Sequence, residues 1–305
     1  MRLIRWPNLV FIFLTQFLFE YSVVRPIAAQ AGITPALQTN GFLLLGLAFV
    51  LVAAAGYIIN DYYDLAIDLV NKPDKVFITR GMGKGVAMAW YILMNIAALA
   101  CAWYVNRHVP GNCAFLTVTV CIIALYFYSA SLKKKFLAGN VLVAAVTASS
   151  VMVLGCVESS VASLPAQPAQ NICLLTTLYT GFAFVISLIR EVIKDMEDVE
   201  GDRQFGCRTM PIVWGIRGSS LFAAGWIILL ILVLLFTQAW LLRHGHWLLP
   251  AYMLLLIILP LIIIFKKLFE AGSAQDYHKL SSGIKLVMLA GILSMLLVSF
   301  SGVAA

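Results

Sequence analysis

The sequence predicts an all-α, polytopic membrane protein of about nine transmembrane helices, and three observations predict it. Of 305 residues, 62% are hydrophobic and only 11% charged, with a mean hydropathy of +0.95. Soluble domains carry about 25% charged residues, so a soluble fold of this composition could not cover its own surface. Apolar stretches of the length a bilayer-spanning helix needs, about 20 residues, recur nine times. Third, the basic residues sort by side of the membrane. With the N-terminus inside, all of the 21 Lys and Arg residues except Arg25, Arg107 and Arg243 fall on the inner side, as the positive-inside rule requires. Cytosolic enzyme, secreted disulfide scaffold and disordered chain are excluded. The runs are continuous rather than alternating, which excludes barrel strands. The net charge of +7 is accounted for by this sorting and is no nucleic-acid footprint.

The stretches lie roughly at 8–28, 41–60, 86–105, 113–130, 139–157, 171–190, 219–240, 247–265 and 284–303. The first follows Arg2 and Arg5 and precedes Ala29-Gln30-Ala31, which together resemble a secretory leader with its cleavage site. Glu20 and Arg25 interrupt the approach to that site, so the segment is expected to remain as the first span. The second and sixth run straight into acidic segments, and the fourth into Lys133-Lys134-Lys135. Mid-span charge is nearly absent, Glu20 being the clear exception. Nearly the whole chain is used, which predicts one membrane domain over 1–305, with pseudo-repeat halves of roughly 1–137 and 138–305. None of the six cysteines forms a CxxC pair and five lie in or beside apolar spans. They are expected to be small buried residues rather than metal ligands or disulfides. The four histidines occupy short loops.

Ten of the 14 acids lie in two inner segments. The first is Asn60-Asp61-Tyr62-Tyr63-Asp64-Leu65-Ala66-Ile67-Asp68, followed by Asp74; the second runs from Arg190 to Asp202. Asp61, Asp64 and Asp68 stand at i, i+3, i+7, and so do Asp195, Asp198 and Asp202. On a helix this spacing gathers three carboxylates on one face. Like charges so placed repel, and Asp is a poor helix former, so folding alone does not ask for the pattern twice. Mg2+ would relieve the repulsion, since it takes carboxylate oxygens and shares its shell with substrate phosphates. The Asn60 amide oxygen is a further candidate ligand. Tyr126, Tyr128, Lys133, Arg190, Lys194, Arg203 and Arg208 supply groups for a phosphorylated substrate. Of the lysine triplet, Lys133 is nearest the membrane. The chemistry that follows is metal-assisted departure of diphosphate from an apolar allylic tail, in a dry cavity. Tyr57, Tyr63, Tyr126 or Phe182 could face the cation that remains.

Asn60-Asp61-x-x-Asp64-x-x-x-Asp68 and Asp195-x-x-Asp198-x-x-x-Asp202 resemble the two signature motifs of the UbiA superfamily of intramembrane prenyltransferases, placed after the second and sixth spans as in that family. The resemblance implies a helical bundle around a central cavity and Mg2+-dependent transfer of a prenyl chain from its diphosphate to an acceptor. It implies that Asn60, Asp64 and Asp68 hold one metal and Asp198 and Asp202 the other. Asp61 and Asp195 would support them, and the stretch 126–133 would contact diphosphate. The segment Arg190 to Asp202, Arg208-Thr209-Met210-Pro211 and the opening Arg5-Trp6-Pro7-Asn8 are similar to the digeranylgeranylglyceryl phosphate synthase branch. That similarity implies a geranylgeranyl donor and the hydroxyl of a glycerol-phosphate ether lipid as acceptor, with Arg5, Asn8 and Lys194 near substrate. After Lys75 that branch continues with prolines, whereas this chain reads Val76-Phe77-Ile78-Thr79-Arg80-Gly81. Arg80 is a candidate for an acceptor phosphate or a topology charge. An aromatic prenyltransferase of quinone biosynthesis is the alternative within the family. An ion-coupled transporter is the alternative outside it, although transporter acids belong near mid-bilayer. A phosphatidyl-type transferase would need one run of clustered Asp, Gly and Arg, which the chain lacks. The expected setting is the cell membrane, with the acidic loops cytoplasmic and the C-terminus outside.

Overall fold

The computed structural model describes residues 5–71, 83–159 and 165–300, and the side chains of 5–65, 83–159 and 165–298. Among them there is no strand, and nine helices are long and apolar enough to cross a bilayer. Helix α1 covers Trp6–Gln30, α2 Thr39–Asn71, α3 Lys84–His108, α4 Cys113–Ala130, α5 Ala138–Ser159 and α6 Ala166–Glu197. Two short helices follow, α7 at Val199–Gln204 and α8 at Met210–Val213. The last three are α9 at Gly215–Arg243, α10 at Leu248–Glu270 and α11 at Ala274–Phe300. Each expected span is present. The helices outrun the apolar stretches because hydropathy marks only the membrane-matching part. Helix α2 has 33 residues, about 50 Å at 1.5 Å per residue, against a hydrocarbon core of about 30 Å. The surplus carries Asp61, Asp64 and Asp68 beyond the apolar stretch. Helix α11 likewise begins well before the expected 284.

Two prolines lie beyond the first turn of a span, Pro26 in α1 and Pro260 in α10. Proline lacks an N–H, and its ring collides with the carbonyl four residues back. Both helices widen into a π-turn at that point, at Glu20–Val24 and Leu254–Ile258. Each turn contains the i−4 residue, Ser22 or Leu256, so the helix continues past the proline.

The bundle closes on itself. Helix α2 packs on α1, α3 and α4, α5 on α1, α4 and α6, and α6 on α9 and α11, while α11 returns to α1. Close approach of α5 and α6 requires glycine at 155, where a Cβ would stand 2.1 Å from Thr176 Oγ1. Small residues at such crossings replace the hydrophobic drive that lipid removes. Large apolar side chains point outward instead, with Phe236 77% and Leu286 70% exposed. That is the surface of an integral membrane protein.

At the end away from the acidic segments, buried Glu158 of α5 accepts from the backbone N–H of Ala36 and Leu37 at 2.8 and 2.9 Å. Glu20 is fully buried and takes Arg25 Nε at 3.0 Å. One expectation is corrected here. Cys113 and Cys156 are joined as a disulfide, with Cα atoms 6.3 Å apart. Their separation of 43 residues bears no motif; the antiparallel pairing of α4 and α5 brings them together. Cys101, Cys121, Cys173 and Cys207 are free.

Candidate active site

The surplus turns of α2 and the end of α6 form one polar mouth. On α2, Asn60 Nδ2 donates to Asp64 Oδ2 at 2.8 Å. Lys133 closes an ion pair on the other oxygen of Asp64. Lys133 belongs to a single 3-10 turn, Leu132–Lys134, between α4 and α5. That turn lies directly on α5, where a Cβ at Gly139 would stand 2.9 Å from Lys133 Cα and 3.1 Å from the Leu132 carbonyl. The Arg208 N–H binds the Lys134 carbonyl at 2.8 Å, so the loop after α7 and the lysine turn are one unit.

Asp61 faces α1, where Arg5 Nη2 reaches it at 3.3 Å. Arg5 also lies over the Tyr57 ring at 5.0 Å, and Asn8 Nδ2 donates to Tyr57 Oη at 2.9 Å. The Arg5-Trp6-Pro7-Asn8 opening is thereby clamped to the first acidic segment.

The second segment departs from expectation. Its three aspartates do not share one helix. Helix α6 ends at Glu197, Asp198 takes φ −97° and ψ 7°, and α7 begins at Val199. Hydrogen bonds of 3.0 Å from Asp198 N to the Lys194 carbonyl and from Asp202 N to the Asp198 carbonyl carry the chain round the bend. Gly201 and the five acids from Asp195 to Asp202 make a continuous helix costly, and the bend spreads their charge. Asp195 is held by Asn140 Nδ2 at 2.8 Å.

The two segments come within electrostatic range of one another at Asp202. Burial first, then the neighbouring carboxylates Asp198 and Asp64, push its pKa up to about 6, while Lys133 acts in the opposite direction. Two acidic segments are thus confined at close range with one lysine between them. Among the described residues no group of three His, Cys, Asp or Glu side chains forms a ready metal cage. The side chain of Asp68, and Arg80 entirely, lie outside the described residues. The donor chemistry nevertheless suits a hard cation. Carboxylate and amide oxygens are gathered, and these are the ligands a hard divalent cation takes.

The tyrosines separate into two sets. Tyr63 and Tyr126 are 40% exposed, with hydroxyls 3.3 Å apart on the outer surface. Tyr57 and Tyr128 face inward; Tyr128 lies in the fields of Glu191, Asp195 and Asp64. Phe182 packs against Gly291 of α11. Lys194 Nζ binds Glu191 Oε2 at 3.3 Å. The sequence reading missed Asn140 and Gly139, each a single residue at the start of an apolar helix. A polar residue opening an otherwise apolar span was the available signal for Asn140.

Comparison with known proteins agrees with this geometry. The sequence matches the UbiA prenyltransferase family over residues 21–301. It is 33% identical over 265 residues to a digeranylgeranylglyceryl phosphate synthase of Saccharolobus solfataricus, covering 86% of each chain. The fold is similar to that of a UbiA homolog from Aeropyrum pernix K1, with a TM-score of 0.68 at 15% identity, covering 95% of this chain and 98% of the other. It is also similar to that of a UbiA homolog from Archaeoglobus fulgidus bound to DMAPP and Mg2+, with a TM-score of 0.59 at 16% identity, covering 96% and 98%.

Proposed function

The chain belongs to the UbiA prenyltransferase family and is a membrane-embedded prenyltransferase, and from that premise we propose that it moves a geranylgeranyl group from its diphosphate to the hydroxyl of a glycerol-phosphate ether lipid. The observation that carries this reading is the Lys133–Asp64 ion pair that joins the lysine turn to the first acidic segment, with Asp202 of the second segment in the field of both. Such a mouth accepts a diphosphate through cations, while the bundle below accepts a hydrocarbon. The acceptor class rests on the relative in Saccharolobus solfataricus.

Mg2+ is the expected cofactor; Asn60, Asp64 and Asp68 would hold one ion, and Asp198 and Asp202 the other. When bound it supplies Lewis-acid neutralisation of the diphosphate charge. Lys133 adds a point charge to the departing diphosphate. Tyr128 and Tyr57 line the inner side of the mouth, where aromatic faces favour a developing allylic cation. Asn140 keeps Asp195 oriented, and Arg5 keeps Asp61 turned to α1. In the transfer, the acceptor oxygen bonds to the allylic carbon, and the bond from that carbon to the diphosphate oxygen breaks. Diphosphate leaves with the electron pair, and the hydroxyl proton is released with it. The apolar helices exclude water that would otherwise capture the cation.

The acid-bearing mouth is assigned to the cytoplasmic side of the cell membrane and the C-terminus to the outside. Lys and Arg crowd the mouth end, and the disulfide lies at the opposite end, where an oxidising compartment would keep it.

The test is product analysis on purified protein in detergent with Mg2+ and geranylgeranyl diphosphate. Geranylgeranylglyceryl phosphate and a hydroxybenzoate or naphthoate are offered in parallel, with chelator controls. Chelator-sensitive ether-lipid product supports the reading. Product on the aromatic ring alone moves the acceptor assignment to quinone biosynthesis. No product with either acceptor, across several prenyl lengths, contradicts the whole scheme.

A further inference from the structure

The mouth contains a second charged group that the scheme above leaves unused. On α6, Arg190 Nη1 binds Glu191 Oε1 at 2.7 Å and Lys194 Nζ binds Glu191 Oε2 at 3.3 Å. Lys285 stands one turn along α11 from Ser281, whose Oγ meets Glu197 of α6 at 3.5 Å, and it lies in the fields of Arg190, Lys194 and Glu191. Glu197 is also close to Lys285, but its carboxylate is turned to His278 Nδ1 at 2.8 Å and Ser281 Oγ at 3.5 Å. Arg5 contributes to the field at Glu191 while bonded to Asp61. With Arg5 bonded to Asp61, three further cations, Arg190, Lys194 and Lys285, are grouped with the one carboxylate of Glu191.

For Arg190 this is not the arrangement of a topology anchor. Anchoring lysines and arginines reach out to water. Here the Arg190 and Glu191 side chains are only 19% and 14% exposed. The Nε of Arg190 is buried without a hydrogen-bond partner among the described residues. A guanidinium donor left unpartnered in a buried place is costly unless an acceptor arrives. The cluster also lies on the inner face, since Glu191 acts on Tyr57 and on Tyr128. From Arg190 to Asp195, and from Lys194 to Asp198, the helix rises about 6–8 Å, at 1.5 Å per residue.

We infer that Arg190, Lys194 and Lys285 form the binding site for the phosphate monoester of the acceptor lipid, one to two helical turns from the acids that take the diphosphate. The inference rests on the proposed acceptor and deepens it. The net excess of two positive charges matches a phosphate monoester, which carries about −1.5 to −2 near neutral pH. A ring carboxylate, with a single charge, matches it less well. The short rise along α6 suits a three-carbon glycerol bridging phosphate and reacting hydroxyl. Arg190 supplies the planar donor and Lys285, from the facing helix, closes the site.

Lys285 is exposed on α11, so Lys285→Met is a variant that keeps the bundle intact. In steady-state assays with geranylgeranyl diphosphate and geranylgeranylglyceryl phosphate, this variant is expected to raise the acceptor KM about tenfold. The prenyl-diphosphate KM and the kcat should stay within about twofold, and Lys285→Arg should return the acceptor KM toward wild type. If the wild type makes the ether lipid and the acceptor KM does not move, the phosphate site is wrong and the proposed function stands. A rise confined to the prenyl-diphosphate KM assigns the cluster to the diphosphate and overturns the inference. A wild type that makes no ether lipid overturns the acceptor assignment and the inference with it, and is told apart because the unaltered protein itself is silent.

Discussion

Asp64 and Asp198 are the residues on which the metal assignment turns. Asp64 carries Asn60 on one oxygen and Lys133 on the other, and Asp198 sits at the bend between α6 and α7. Asp64→Ala and Asp198→Ala are each expected to abolish turnover while the protein still inserts and purifies as a single species. Near-normal activity in either would sink the assignment. Asp202 makes a pH prediction. Its carboxyl is raised from 3.8 to about 6 by burial and by Asp198 and Asp64. Between those values the folded, metal-free protein holds a proton that the unfolded chain has lost. Its stability therefore falls as pH rises through that window. Above about 6 the carboxylate is ionised and ready for a cation. Below it, a cation must displace a proton, so apparent Mg2+ affinity should drop as pH falls through 6. Asp202→Asn should raise the apparent melting temperature in chelator at pH 7 and flatten the affinity profile. A Mg2+ titration that is indifferent to pH from 5 to 7 would contradict this.

At the scale of the helix, the governing constraint is that every backbone polar group in lipid needs a partner. The π-turns before Pro26 and Pro260 meet it without ending the span. The close crossing of α5 and α6 meets a different need, contact between backbones, and depends on Gly155 facing Thr176. In a free helix Gly→Ala would gain about 1 kcal/mol. Here the new Cβ would meet Thr176 Oγ1 at 2.1 Å and Cγ2 at 2.5 Å, and overpacking typically costs about 1–3 kcal/mol. The clash outweighs the propensity. Gly155→Ala is thus expected to lower the melting temperature in detergent, and a stabilised variant would show that the two helices can part freely.

At the scale of the molecule, charge and covalent structure point the same way. Basic residues gather at the acidic mouth, and the Cys113–Cys156 disulfide lies at the far end. A cysteine introduced at His246, between α9 and α10, should react with a membrane-impermeant maleimide on intact cells. One introduced at Ser273, between α10 and α11, should react only after permeabilisation. The reverse pattern would invert the bundle and place the active mouth outside.

Composition and apolar run length were enough to specify nine spans, because crossing a bilayer is a one-dimensional requirement on length and hydropathy. The paired aspartate spacing was enough to mark the chemistry, because gathering like charges serves no folding purpose. What the linear pattern could not carry was anything decided by one helix meeting another. The spacing of Asp195, Asp198 and Asp202 looked like one helical face, and local repulsion bends the chain at Asp198 instead. Tyr126 and Tyr128, two residues apart, look equivalent in the text, yet α4 turns one outward and the other toward the acids. Cys113 and Cys156 look like unremarkable apolar residues until α4 and α5 align them. Arg190, Lys194 and Lys285 become one cluster only when α11 returns to pack on α6. A helix's own periodicity sets which residues share a face; only packing sets what that face meets.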